Sequence, residues 1–361
     1  MRPLKHALRS QTFVTLADAA VAVAVAFAVA LLIVAISGES ASEAASTFVE
    51  GAFGSTTSFE DTLNVMVPLV LIALAWIIAT TANQINLGLE GQILLGGIFA
   101  TLAGTEISGL PGVIHLPLAL LAGVLGGALW AAIPALLSVY RRVPELLSTF
   151  MLNFVALLTV SWLIRGPMQD ETNATLLQSA PVDLSATWPR VGTSQLSWDF
   201  VLVPLGVAIV AFVLARTTVG FRLNLLGANP DAAREAGVAT TRLGAGSLIV
   251  SGGIAGLVGA CLILASFGGV LTDGFSNNYG FIGIVVALLA RNSPIGVLAA
   301  GLLFAALQQG GGLVETRIGV SSSLVEITQG VVIVILAGSA LFLGRLGIKR
   351  LALARPLTEE R

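Results

Sequence analysis

Charge is what this sequence has least of. Only 11% of its 361 residues are Asp, Glu, Lys or Arg, while 56% are hydrophobic. A soluble domain carries about a quarter charged residues, so a water-soluble fold is excluded. Short segments alternating apolar with polar residues are missing, which removes a transmembrane β-barrel. Cysteine is reduced to Cys261, inside an apolar run, so no intrachain disulfide can form. There are two histidines, His6 in the basic N-terminus and His115 in a Pro-flanked outer loop. No HExxH, GxSxG elbow, Cys/His cluster or GxxxxGK loop occurs. Hydrolytic, metal-dependent and P-loop chemistries therefore lack their residues, and no cofactor or metal is expected.

What the chain has is apolar length. Runs near or above the ~18-residue spanning threshold recur throughout. They fall near 13–36, 63–82, 87–106, 117–138, 146–164, 200–215, 243–266, 278–290, 294–309 and 324–344. They predict an all-α, polytopic transmembrane bundle of about ten spans with interrupted helices, in one domain over 1–361. Arg2, Lys5 and Arg9 precede the first run as in a signal peptide, but that run is too long for a cleaved one and reads as a retained span.

With the N-terminus inside, fifteen Lys and Arg residues fall on cytoplasmic segments, and only Arg165, Arg190 and Arg317 fall outside. By the positive-inside rule both termini are cytoplasmic. Outer loop 37–62 is acidic with no basic residue, and outer loop 166–199 holds four acids, three prolines, Trp188 and Trp198. Either is a solvated cover or a surface that meets something outside. The lipid bilayer is the expected solvent, and no nucleic-acid partner is expected.

Cytoplasmic loop 216–243 is the most punctuated of the connections. Asn229-Pro230 is a helix-start signal, because Asn caps and Pro fits the first turn. Residues 231–236 (DAAREA) are good helix formers, and Gly237 reads as the C-terminal cap. The result is a short helix across the inner face, with small Ala side chains that let another surface approach.

GANPDAAREAGV (227–238) resembles the cytoplasmic coupling loop of ABC importer permeases in the branched-chain amino acid and ribose/simple-sugar group. NLGLEGQ (86–92) is similar to the NxGxEGQ signature of nucleoside-type members. VPELLSTFMLNF (143–154), YGFIGIVVALLARNSPIG (279–296) and SLVEITQGVVIVILA (323–337) agree in the same order, so the resemblance covers about 63–345. It implies that Gly227, Asn229, Pro230, Ala232, Ala233, Ala236 and Gly237 dock on a separate ABC ATPase subunit. It also implies alternating access, a second permease (a homologous heterodimer), and an extracytoplasmic solute-binding protein. Arg141 to Glu145 is either a second contact or a positive-inside anchor.

The implied solute is a nucleoside or related sugar-like molecule, with branched-chain amino acids or simple sugars as the alternative. An ion-coupled secondary transporter is the alternative from another class. Of its ionisable candidates Asp18, Glu90, Asp273 and Glu326, Asp18 falls near the inner end of the first span and Asp273 in a wet outer turn, which leaves Glu90 and Glu326 with no intramembrane cation opposite. That is a thin set for ion coupling.

NQINLGLEGQILLGG (83–97) places amides, a carboxylate and four glycines in an apolar region. An interrupted helix near mid-membrane accounts for this, since carriers use such breaks to aim polar groups at a solute. Expected path residues are Asn83, Asn86, Glu90, Gln92, Thr149, Asn153, Asn277, Asn278 and Tyr279, the last three from a Gly-rich counterpart at 267–283; Thr149 and Asn153 read equally as interhelical hydrogen-bonding glue. Glu90 has a second reading, as a structural ligand of a helix N-terminus, because a path for neutral solutes has little use for a buried anion. The pairs Gly96-Gly97, Gly126-Gly127 and Gly252-Gly253 read as close-packing sites rather than pore, and Gln308 and Gln309 as a further polar stripe.

Overall fold

The computed structural model describes residues 40–141, 143–173, 175–266 and 269–319, with Ile327 and Gly330. The expected spans at 13–36 and 324–344, like Asp18 and Glu326, lie outside those stretches. The described chain is helical, with isolated β-bridges and no longer strand. Its helices are α1 Ala41–Phe53, α2 Thr56–Thr81, α3 Leu89–Glu106, α4 Gly112–Arg141, α5 Glu145–Ile164, α6 Leu202–Arg216, α7 Thr218–Ala228, α8 Pro230–Glu235, α9 Thr240–Cys261, α10 Tyr279–Leu289 and α11 Gly296–Ile318.

Six stretches are long and apolar enough to cross a membrane: α2, α4, α5, α9 and α11, with α6 extended back to Trp198. All eight expected spans within the described residues fall on helices. The main correction concerns 37–62, read as a loop. Ser40 caps α1 by accepting the Glu43 N–H, and α2 begins at Thr56. His115 lies inside α4 rather than in a loop.

Two compact units are present. In the smaller, α1 packs on residues 306–318 of α11. Ala44 meets Val314, and Arg317 donates to Glu50 at 2.6 Å. In the larger, 56–305, helix α2 is the axis, with 78% of its most apolar window buried against 22% for α6. The leucines left exposed on α4 and α6 face what a membrane protein has instead of water.

Lipid offers no hydrophobic drive to bring helices together, so close packing of small residues must do it. Helices α3, α4 and α9 do this along one seam. A Cβ added at Gly256 would lie 2.2 Å from the Gly123 carbonyl oxygen, at Gly127 2.2 Å from that of Gly252, and at Gly259 2.0 Å from that of Ile93. Gly253 differs, since its nearest neighbour, a Val124 methyl, would be 3.4 Å away. Gly256→Ala is therefore expected to destabilise the bundle by about 1–3 kcal/mol through overpacking. Gly253→Ala should be near neutral, and thermal unfolding in detergent separates the two.

Candidate functional site

The polar stretch at 83–92 is the turn joining α2 to α3, together with the first turn of α3. Asn83 adopts a left-handed backbone (φ 57°), which turns the chain at the end of α2. Asn86 then knits the turn. Its oxygen accepts the Gly88 N–H at 3.1 Å and the Gln92 Nε2 at 3.0 Å, while its nitrogen donates to Gln92 Oε1 at 2.9 Å and Ser251 at 3.0 Å. From α5, Asn153 donates to the Leu87 carbonyl at 2.8 Å and accepts the Gly91 N–H at 2.9 Å. Thr149, one turn earlier, donates to the Glu145 carbonyl and lies against Gly88. Asn86, Gln92, Thr149 and Asn153 are buried. Their hydrogen-bonding capacity is taken up inside the fold, where it supports backbone that has left helical geometry.

Glu90 reaches the second Gly-rich segment. Its carboxylate accepts the Ser276 hydroxyl and, at 2.8 Å, the Gly280 N–H. Gly280 is in the first turn of α10, and Glu90 is in the first turn of α3. A Cβ on Gly280 would lie 2.5 Å from the Glu90 nitrogen, so the N-termini of two helices touch. Each carries roughly half a positive charge, and the carboxylate between them offsets both. Gly97 is shaped by the same segment, since a Cβ there would meet the Phe275 ring at 2.4 Å. Asn277 and Asn278 have left-handed backbones (φ 45° and 57°) and are exposed, whereas Tyr279 is buried.

Asp273, expected in a wet turn, pairs with Arg165 at 2.6 Å, and Ser161 donates to it at 2.5 Å. This ties the segment to the end of α5. Loop 166–199 covers the same end of the bundle. The Val182 N–H donates to the Gly269 carbonyl, and the Ser179 N–H to that of Leu271. Asn64 bonds Gln195 and Ser197, and Glu60 accepts the Gln195 N–H. Fully buried His115 bridges Ser185 and the Ala103 carbonyl. The Ser185 N–H holds the Asp183 carboxyl below the usual carboxylate range.

The opposite end carries the punctuated helix. Asn229 caps α8, accepting the N–H groups of Asp231 (3.0 Å) and Ala232 (3.1 Å), with Pro230 in the first turn. At its C-terminus the Val238 N–H reaches the Ala233 carbonyl, and the Gly237 N–H that of Arg234. This is the Schellman arrangement, and it requires the left-handed φ of 78° that Gly237 adopts. Ala233 is fully buried with Ala82, Leu223 and Leu226, so it seats the helix on its own bundle. Ala236 and Gly237 are exposed, and Ala232 is half-buried. Gly227 lets the loop abut α2, because a Cβ there would lie 2.3 Å from the Thr81 oxygen.

The sequence reading missed α7, although Thr217 caps it by accepting the Gly220 N–H at 3.1 Å. Beside α8 is a cleft of about 250 Å³, lined among others by Asn83, Gln84, Ser138, Glu145, Pro230 and Thr240. Asn83 thus belongs to this end with Pro230, apart from Asn277 and Asn278. Among the described residues no group of His, Cys, Asp and Glu is placed to hold a metal ion.

A helical bundle with six stretches long and apolar enough to cross a membrane defines a multi-pass membrane protein. The chain belongs to the family described as branched-chain amino acid transport system / permease component, whose profile it matches over residues 58–337. It is 39% identical to the glucose ABC transporter permease protein TsgB13 of Haloferax volcanii, over 76% of this chain and 75% of that one. It is 32% identical to the guanosine ABC transporter permease protein NupP of Bacillus subtilis, over 88% and 92% of the two chains. A second guanosine permease protein of that bacterium, NupQ, matches at 27% over 67% of this chain and 78% of its own.

Proposed function

We propose that this chain is the transmembrane subunit of an ATP-driven importer and moves a nucleoside or related sugar-like solute inward by alternating access. It has no ATPase site of its own, and energy enters from a separate ATPase subunit that docks on α8. The observation that carries this reading is the 229–237 helix. It is capped at both ends, anchored by buried Ala233 and presents Pro230, Ala236 and Gly237 outward. A mere connection has no use for such definition. Arg141, Arg216, Arg234 and Arg242 belong to that same end, whereas Arg165 and Arg190 belong to the other. This supports a cytoplasmic α8, about ten spans in one permease domain, and both termini in the cytoplasm of a cell-membrane protein. Two guanosine permeases of one bacterium, matching this chain at 32% and 27%, support a homologous heterodimer. An extracytoplasmic solute-binding protein delivers the solute to the end covered by loop 166–199.

The proposed path residues divide by role. Asn86, Glu90, Gln92, Thr149 and Asn153 hold the frame. Asn83 lines the inner cleft, and Asn277 and Asn278, backed by Tyr279, face the path. In proteoliposomes holding both permeases and the ATPase, uptake of tritiated guanosine or uridine should require ATP and persist when ion gradients are collapsed. Uptake that needs a gradient and no ATP would establish the ion-coupled reading instead.

A further inference from the structure

We infer that Phe150, Phe281, Asn277 and Asn278 form a water-facing shelf that binds the ring of a neutral solute, a nucleoside in preference to a hexose. This rests on the transport reading and adds the residues and ligand chemistry that set its specificity. Depth comes first. Phe275 lies against Gly97, and Gly280 lies against Glu90. Counting back from Glu106 at 1.5 Å per residue, segment 275–280 sits about 13–24 Å along α3. Bare amides on non-helical backbone are tolerated so deep only where protein covers them or water reaches them. Asn277 and Asn278 are exposed; the Asn277 side chain pairs with the Tyr279 hydroxyl, while that of Asn278 caps no helix N–H. On the shelf reading, water is what meets this face.

Its chemistry is specific. On one side of the amides the Phe281 ring meets Phe150 of α5, with centroids 6.4 Å apart at 65°, and Phe150 meets Phe154 edge-on at 5.5 Å. On the other side Arg165 and Asp273 offset each other at 2.6 Å, so no net charge is presented and an ionic solute gains nothing. Two carboxamides supply donors and acceptors in adjacent pairs, matching the edge of a nucleobase or ribose hydroxyls. The aromatic rings offer a stacking face that a planar base covers more fully than the C–H face of a hexose does.

Cys261, the lone and buried cysteine, makes a clean test. In a Cys261→Ser background, Asn278→Cys and Phe281→Cys are introduced into the full transporter in membrane vesicles and exposed to a charged methanethiosulfonate. Phe212→Cys, at a residue 62% exposed on α6, is the lipid-facing control. Both shelf cysteines should label and the control should not. Guanosine or uridine at ten times its dissociation constant should slow labelling roughly tenfold, since only the unoccupied fraction reacts, while glucose should not. Phe281→Leu should raise KM for the nucleoside roughly five- to a hundredfold with turnover kept, as loss of a stacking partner does.

Shelf cysteines that react only with a lipid-soluble maleimide, protection by glucose alone or by no solute, or an unchanged KM in Phe281→Leu would each overturn the shelf. ATP-dependent uptake measured in the same vesicles tells that failure apart from failure of the transport reading.

Discussion

Glu90→Ala is expected to reduce ATP-driven uptake at least about a hundredfold while leaving the protein inserted in the membrane. The carboxylate accepts from the Ser276 hydroxyl and the Gly280 N–H, and hydrogen bonds to a charged group contribute about 1.5–3 kcal/mol each. Removing both leaves two buried donors and two facing helix N-termini without their counter-charge. A loss of about 3 kcal/mol or more in the seating of α10 corresponds to the hundredfold factor. The damage should be local, because the Gly123–Gly127–Gly256 seam does not involve Glu90. Glu90→Gln keeps the length and one acceptor but loses the charge, and should fall between wild type and alanine. Hydrogen exchange reports the same event independently: the amide of Gly280 should lose protection in Glu90→Ala while those of α9 keep theirs. Wild-type uptake with unchanged Gly280 protection would remove Glu90 from any role in seating α10.

What could be read from the sequence was what local chemistry writes. The Asn229-Pro230 start and the Gly237 stop are nearest-neighbour signals, and the structure places a cap at each. The eight apolar runs within the described residues are likewise local, and each lies on a helix. The close packing expected of Gly96, Gly127 and Gly252 holds, while Gly253 makes only ordinary contacts.

The illegible part is long-range. Glu90 finds Ser276 at a separation of 186 residues and Gly280 at 190, and Arg165 finds Asp273 at 108. No periodicity encodes such partners. Composition also misled. The amides at 86 and 92 read as groups offered to a solute, yet each bonds the chain itself, and Asn153, which read either way, bonds the 83–88 turn. Backbone leaving a helix at depth needs partners of its own before any can be offered to a ligand. The acidic, Ser-rich stretch at 37–62 misled for the opposite reason, because its small polar residues mark the cap of α1 and not the absence of a helix.

Gly237→Arg should abolish coupled transport and co-purification of the ATPase while insertion and folding of this chain survive. Among the described residues nothing lies within 4 Å of a Cβ at Gly237, so an arginine meets no steric obstacle there. Its backbone is another matter, since a φ of 78° costs an ordinary L-residue roughly 1–2 kcal/mol. That penalty alone would fray the Schellman turn and leave α8 anchored through Ala233, with a partial loss of activity.

Three substitutions therefore separate conformation from contact. Gly237→Asn, which tolerates the left-handed region, should retain most transport. Gly237→Ala should lose the fraction that the turn's strain represents, about five- to thirtyfold in the population of the capped form. Gly237→Arg should lose far more than Gly237→Ala, because the added bulk and charge fall on the surface proposed for the ATPase. If arginine and alanine behaved alike, the residue would serve only as a cap and the partner would dock elsewhere. If asparagine failed as completely as arginine, close approach of the partner's backbone would be the requirement. Arg234 on the neighbouring face, paired with Asp231 at 3.2 Å and exposed, tests the same surface by charge. Arg234→Glu should weaken ATPase co-purification without touching the cap hydrogen bonds, and restored binding by a compensating basic residue on the ATPase would place the interface there.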